Sequence, residues 1–282
     1  MIDYINGNKF ADLADFVILK NNFPLKILKE NCIIFCTTDY LDFLFKNLRF
    51  SNRKFILITH ASDFTIDFSM FSKKPPCIKK WFAENAEYNH PDLIPIPIGL
   101  ENTKDENGCG KGQITEKNLK LLSKQEYFKK KKKIKDTVFC GFKVKYQFAH
   151  NTWINPWRKT IIEDFQKTGV KYYQPKEKLS QYNFLNNLSD HKFIVAPRGN
   201  GIDTHRAWEA LYVYTIPIVL NNNVWKYYNL PILKVNKWID VTSELLFNYL
   251  EEIKDNDFNN YEQLTMTYWK NKIINEFNKL NE

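Results

Sequence analysis

The stretch richest in chemistry is Phe193–Leu220, FIVAPRGNGIDTHRAWEALYVYTIPIVL, which reads strand, tight loop, helix, strand. Gly199 and Gly201 flank one polar residue in the loop, and glycine lets a ligand approach the backbone closely. Asp203 is a good N-cap for the helix that follows, whose first turn exposes backbone N–H groups and carries about half a positive charge. Arg198 precedes the glycines and Arg206 lies in the first helical turn. Backbone donors with two guanidiniums suit a pyrophosphate. Arg206 and Glu209 stand three apart and have two readings. They are a surface ion pair worth roughly 0.3 kcal/mol, or Arg206 meets phosphate while Glu209 accepts from ribose hydroxyls. Neither a GxGxxG fingerprint nor a GxxxxGK[ST] loop is present.

The elements that must position these groups alternate between strand and helix. Cys32–Cys36 and Phe55–Thr59 read as buried strands, with a helix over Asp39–Leu48 between them. Trp81–Glu87 reads as helix, and the prolines of Ile94–Leu100 impose an extended segment. Gly108, Gly110 and Gly112 then cluster among charges before Lys129–Lys133, which marks a connection. Beyond it, Thr137–Gly141 is a strand, Asn155 and Pro156 are the N-cap and first residue of a helix, and Phe193–Ala196 and Ile216–Leu220 are strands. Thr204–Tyr214 is a helix whose Ala207, Ala210, Leu211 and Tyr214 face a sheet. Thr242–Ile253 and Met266–Leu280 are helices too. The pattern predicts two α/β halves with a cleft between them.

Composition narrows the class. With 282 residues, 44% hydrophobic and 16% aromatic, the chain supports a substantial core. The net charge of +9 suits an anionic ligand, and it also follows from the Lys-rich bias of an AT-rich genome. The Lys129–Lys133 run reads as a solvated helix end or as a peripheral contact with anionic lipid. An odd number of cysteines (Cys32, Cys36, Cys77, Cys109, Cys140) without CxxC argues for reduced thiols. His60, His90, His150, His191 and His205 show no zinc spacing, so no metal site is expected. The N-terminus lacks signal-peptide character and no apolar run reaches bilayer length, which together predict a soluble cytoplasmic protein. No zinc finger or RRM signature supports a nucleic-acid partner.

PRGNGIDTHRAWEAL followed by IPIVL resembles the signature of the exostosin-like glycosyltransferases, roughly PRG-G-[DS]-x-R-x-x-E-A-L with a later G-x-I-P-V-V. Tyr214-Thr215 stands where that pattern has glycine. WFAENAEYNHPDLIPIPIGLEN (Trp81–Asn102) is similar to the segment ending the family's first domain, and TVFCGF with NPWRKTII to the opening of its second. Proteins of this type also occur in large DNA viruses, which would make the compartment a host cytoplasm. The resemblance implies an α/β, GT-B fold: two Rossmann-like domains with parallel sheets facing a central cleft. The first would cover 1–125, the second 126–265, and a C-terminal helix in 266–282 would pack back on the first. It also implies an inverting transfer from a UDP-sugar to a glycan hydroxyl without an obligatory metal or other cofactor. The donor set it implies is Arg198, Arg206 and Glu209 with Gly199, Gly201 and Thr204, joined by Gly141 and Arg158. A GDP-fucose transferase, a basic nucleic-acid-binding protein and a non-catalytic nucleotide-sugar binder are the competing readings.

An inverting transfer needs a base opposite the leaving group, hence on the first half, beyond the carboxyl ends of its strands. Asp39 and Asp63 follow such strands, and His60 stands beside Asp63. Asp39 serves equally as a helix N-cap, and His60 as a satisfied core histidine. The reading adopted makes Asp63 the base with His60 as competitor. Glu84 and Asn85 are expected to border a bound sugar. Asp255-Asn256-Asp257 has the letters of a DxD motif but reads as a solvated loop. Trp153, Trp157, Trp225 and Trp238 are candidates for stacking on a ring or for core packing.

Overall fold

A computed structural model describes residues 3–20, 31–103, 112–124, 135–148, 151–156, 158–254 and 261–280. Cys109, His150, Trp157, Lys129–Lys133, Asp255–Asp257 and the side chain of Trp153 lie outside what is described, as does the expected 125/126 boundary.

The first half contains α1 (Gly7–Ala11), β1 (Phe16–Ile18), β2 (Cys32–Thr37), α2 (Leu41–Leu48), β3 (Phe55–His60), α3 (Phe68–Phe71), β4 (Ile78–Ala83) and β5 (Leu93–Pro95). Its five strands are all parallel and lie in chain order. Helix α4 (Gly112–Lys124) follows. The second half contains β6 (Lys135–Phe139), the hairpin β7 (Lys145–Phe148) and β8 (Asn151–Ile154), α5 (Ile161–Thr168), β9 (Tyr172–Tyr173) and α6 (Gln181–Asp190). It continues with β10 (His191–Val195), α7 (His205–Tyr212), β11 (Ile216–Leu220), α8 (Asn223–Tyr227), β12 (Leu233–Val235), α9 (Ser243–Ile253) and α10 (Met266–Asn278). Its parallel sheet has the order β12-β11-β10-β6-β9. Numbered within the sheet this is 2-1-3-4-5, a doubly wound order that reverses between β6 and β10. Two five-stranded parallel sheets with helices therefore make up the α/β molecule.

Side-chain alternation explains why these strands read as unbroken apolar runs. In β2 and β3, Ile34, Cys36, Phe55 and Leu57 point into a core with α2, while Ile33, Phe35, Ile56 and Ile58 point the other way. In β10, Phe193 and Val195 face the core under α5 and α9, and Ile194 and, just past the strand, Ala196 face the opposite side. The opposite faces of both sheets share one continuous apolar cluster with Trp208, Trp225 and Trp269. Helix α10 joins it, and the chain ends nearby are tied across: Met266 N donates to Asp3 O, and Lys54 Nζ to Leu280 O. Trp225 and Trp238 are buried core residues. Among the described residues no helix is long and apolar enough to cross a membrane. Cys32, Cys36, Cys77 and Cys140 are buried.

Four local expectations are corrected. Trp81–Ala83 belongs to β4, because Trp81 and Phe82 are both buried but on opposite faces of the sheet. Asn155 does not start a helix: its carbonyl closes a turn on Arg158 N, and α5 begins at Ile161 after Thr160. Thr204, not Asp203, is the N-cap residue of α7. Asp39 sits in a 3-10 turn (Thr38–Tyr40) ahead of α2 and caps nothing with its side chain. Tyr214, at the position where the resembled pattern has glycine, has φ 59°, the left-handed region that costs a side-chain-bearing residue about 1–2 kcal/mol.

Candidate functional site

A cleft of about 690 Å³ opens at the β6/β10 reversal, where ligands of doubly wound sheets bind. From the second half it is lined by the segment after β6 (Gly141–Val144), the loop after β10 (Gly199–Gly201) and the start of α7. Asp63, Ile98, Glu101 and Thr115 line it from the other side. Of the sequence-derived residues, Gly141, Arg158, Gly199, Gly201, Thr204, Arg206, Glu209 and Asp63 all line the cleft. Arg198 and His60 do not.

The glycine loop is built by contacts from far along the chain. Asn85 Oδ1 accepts from Ile202 N (2.8 Å) and Asp203 N (2.9 Å), and its amide donates to Ser62 O (3.2 Å). A Cβ on Gly201 would lie 2.9 Å from Asn85 Nδ2, so this glycine makes room for the anchor. Asp203 Oδ2 accepts from Ile98 N (2.8 Å), its Oδ1 from Thr204 N (2.7 Å), and Trp208 Nε1 reaches both oxygens (2.8 and 3.0 Å). Burial pushes its carboxyl up to about 7, and the three N–H donors only partly offset that. His205 Nδ1 lies 2.8 Å from Gly99 O. WFAEN and IPIGL thus contact IDTH directly and hold the loop across the two halves.

On this frame the polar groups converge. Arg158, 6% exposed, donates from Nε to Arg198 O and from Nη1 to Lys143 O, both at 3.2 Å. Its Nη2 is the nearest atom to a Cβ imagined on Gly199. Arg206 Nε donates to Gly141 O (3.2 Å), and the rings of Phe184 and Phe139 leave no room for a side chain at Gly141. Thr204 is 8% exposed, and among the described residues its Oγ1 has no hydrogen-bond partner although Thr204 lines the cleft. Gln181 Nε2 donates to Glu209 Oε1 (2.8 Å). Loss of water around the buried Glu209 carboxyl pushes it up to about 7, against the pull of Gln181 and Arg206.

Arg198 turns back on its own loop, donating from Nη2 to Asn200 O (2.8 Å), and it feels the charge of Glu87. His60 is 2% exposed and sits behind the cleft wall, outside its lining. Its Nδ1 lies 2.9 Å from Glu84 Oε2, and its Nε2 lies 3.2 Å from Pro97 O. Burial alone lowers its pKa, but Glu84 and the carbonyl outweigh that and raise it overall. Glu84 also accepts from Ala61 N and Ser62 N, so it shapes the turn after β3 and does not border the cleft. Asp63 is exposed at the cleft wall, and its Oδ2 accepts from Asn200 Nδ2 (3.1 Å). Asp39 is exposed and away from the lining.

Sequence reasoning missed the anchoring roles of Asn85, Asp203 and His205 and the cleft wall formed by Gln174–Leu179 and Gln181. The Pro-Lys composition of that wall gave no functional signal. Among the described residues, five Lys or Arg and five Asp or Glu line the cleft, so the chain's positive charge is not concentrated there. Among the described residues, no group of three or more His, Cys, Asp and Glu is placed to hold a metal ion. Comparison with models of known protein families finds none that matches, and comparison with curated proteins finds no match.

Proposed function

We propose that this chain is an inverting, metal-independent glycosyltransferase of GT-B type that moves a sugar from a UDP-sugar to a hydroxyl of a glycan acceptor. One observation carries the reading: Arg158, Arg206, the orphaned Thr204 hydroxyl, the glycine loop and Glu209 converge on a single cleft at the sheet's reversal point, with Asp63 across from them. The volume suits a nucleotide sugar. The balanced lining suits a ligand with a diphosphate and many hydroxyls better than a polynucleotide, which wants a uniformly basic groove.

In this reading the α7 N-terminus, Arg206 and Arg158 hold the diphosphate and stabilise the charge it gains as the glycosidic C–O bond breaks. Thr204 Oγ1 donates to a phosphate oxygen, and Glu209 accepts from ribose hydroxyls. The acceptor oxygen attacks the anomeric carbon from the opposite face, its proton passes to the Asp63 carboxylate, and the bonding pair leaves with UDP. Asn200 orients Asp63, and His60 acts through Glu84 by fixing the turn that carries it.

The test is Arg206→Ala in UDP titration and in donor hydrolysis over a panel of nucleotide sugars. One lost charge-assisted contact is worth about 1.5–3 kcal/mol, so UDP affinity is expected to fall about 10- to 100-fold with the fold intact. Near-wild-type binding by the variant, or wild-type selectivity for GDP, would overturn the assignment of donor site or base. Donor binding without turnover on any acceptor would leave a binder, not an enzyme. Activity is expected to survive EDTA.

A further inference from the structure

The two walls of the cleft differ in charge. Among the described residues, all five of its Lys and Arg side chains (Lys143, Arg158, Lys176, Lys178 and Arg206) belong to the second half. The first half presents Asp63, Ile98 and Glu101, which supply two carboxylates and no cation. Glu101 is held where the chain approaches α4: Gly112 N donates to Asn102 O (3.1 Å), and a Cβ on Gly112 would run into Glu101 O. The charge of Glu101 reaches both His205 and Glu209.

His205 bridges the two walls. It follows the N-cap Thr204 at the start of α7, yet its ring reaches the first half, where Nδ1 lies 2.8 Å from Gly99 O. A carbonyl only accepts, so Nδ1 carries the proton, and in the neutral ring Nε2 is an acceptor. Burial holds the ring below its ordinary pKa, against the pull of that carbonyl, Glu101 and Glu84, and His60 adds to the lowering. Among the described residues no hydrogen bond takes Nε2, and His205 lines the cleft. The glycosyltransferase signature gives this position no role.

The diphosphate belongs at the cationic wall beside Thr204. The sugar joined to it therefore extends past His205 toward the first half, from which the acceptor approaches. Its hydroxyls meet two acceptors there, His205 Nε2 and the Glu101 carboxylate. A carboxylate on the sugar would instead meet Glu101 and Asp63 with no described cation on that wall to offset them, and like charges brought together are strongly disfavoured.

We infer that His205 and Glu101 select the sugar of the donor: they bind an uncharged, hydroxyl-bearing ring and reject a uronic acid. This rests on the glycosyltransferase reading and narrows its donor to nucleotides carrying a neutral sugar.

The test is calorimetric titration of the full chain, without acceptor, by UDP and by two pairs of donors that differ only in the charge at C6. These are UDP-glucose against UDP-glucuronate and UDP-galactose against UDP-galacturonate. The neutral member should bind more tightly in both pairs, by about tenfold or more in the better one. Glu101→Gln should narrow that ratio about threefold or more. His205→Asn, whose amide still donates to Gly99 O, should weaken the neutral donors about fivefold and leave the urea midpoint in place. UDP, which has no sugar, should bind all three proteins alike. The inference is refuted if a uronate matches its neutral partner in either pair, if Glu101→Gln leaves the ratios unchanged, or if His205→Asn binds neutral donors as wild type does. It is also refuted if His205→Asn loses UDP and stability together, because His205 then only ties the halves. Failure of UDP to bind the wild-type chain would refute the donor site itself, a separate result.

Discussion

Asn85 is where the two halves are most open to attack by a single substitution. It is 1% exposed, and its Oδ1 serves two backbone N–H groups of the glycine loop. Its φ of 53° lies in the left-handed region, which asparagine tolerates and alanine does not. Asn85→Ala leaves both buried donors unmet at about 1–3 kcal/mol each and adds about 1 kcal/mol of backbone strain, for a total on the order of 3–7 kcal/mol. The urea midpoint should fall accordingly, and UDP affinity should fall with it because the loop loses its anchor. Gly201→Ala gives the internal control. Its φ is not in the positive range, so only space matters, and the added Cβ meets Asn85 Nδ2 at 2.9 Å and Oδ1 at 3.1 Å. Alone it should cost about 1–3 kcal/mol by displacing Asn85. Combined with Asn85→Ala it should cost little more, since the obstructing side chain is gone. The double-mutant cycle should therefore show coupling above about 1 kcal/mol. Additivity within about 0.5 kcal/mol, or an Asn85→Ala loss below about 1 kcal/mol, would refute this account of how the loop is held.

Glu209, with its carboxyl pushed up to about 7, is protonated below that pH and accepts hydroxyl donors fully only above it, so UDP affinity should rise from pH 6 to 8. The profile should flatten in Glu209→Gln, and a flat wild-type profile would remove Glu209 from the ribose. The same raised value means the folded protein holds this proton more tightly than the unfolded chain, so its contribution to stability falls as pH climbs from 4.5 toward about 7. Asp63→Asn should lower kcat by about 10²–10⁴ with donor KM unchanged, and an unchanged kcat would move the base elsewhere. Tyr212→Phe should cost about 1–3 kcal/mol in urea denaturation, because the buried hydroxyl accepts from Ile5 N and donates to Leu264 O. A loss under about 0.5 kcal/mol would show that water replaces it.

What the sequence made legible, and what it hid, follows from the range of the interactions. Strands β2, β3, β10 and β11 were readable because both of their faces are buried, which leaves continuous runs of Ile, Phe and Val. The cleft was readable because a strand, a glycine loop and a helix lie consecutively along the chain. The polar residues were misread where a distant partner takes them. Asp203 has the local look of an N-cap, but its carboxylate is taken by Ile98 N, 105 positions away, so the helix starts later. Asn155 and Pro156 look like a helix start, but that turn instead brings Arg158 to the carbonyls of Lys143 and Arg198. His60 looked reactive beside Asp63, and only the fold reveals the Glu84 carboxylate 2.9 Å from it. No local propensity encodes a partner dozens of residues away.

The two sheets also explain why the site is asymmetric. A crevice forms where neighbouring strands send their connections to opposite faces, and that requires the strand order to reverse. The second sheet reverses between β6 and β10, and the loops leaving those two strands are the ones that bear Gly141 and the Gly199–Gly201 segment. The first sheet runs β1 to β5 without a reversal, so it opens no such crevice of its own. It contributes loop ends instead: Asp63 after β3, Asn85 after β4, and Ile98 and Gly99 after β5. Three of these, Asn85, Ile98 and Gly99, bind the backbone or side chains of residues 202–205, and the fourth, Asp63, stands at the cleft wall. The second half therefore carries the crevice while the first fixes its loop and adds a carboxylate from across the gap. Neither half makes the site alone, and the continuous apolar cluster between the sheets is what keeps them in register.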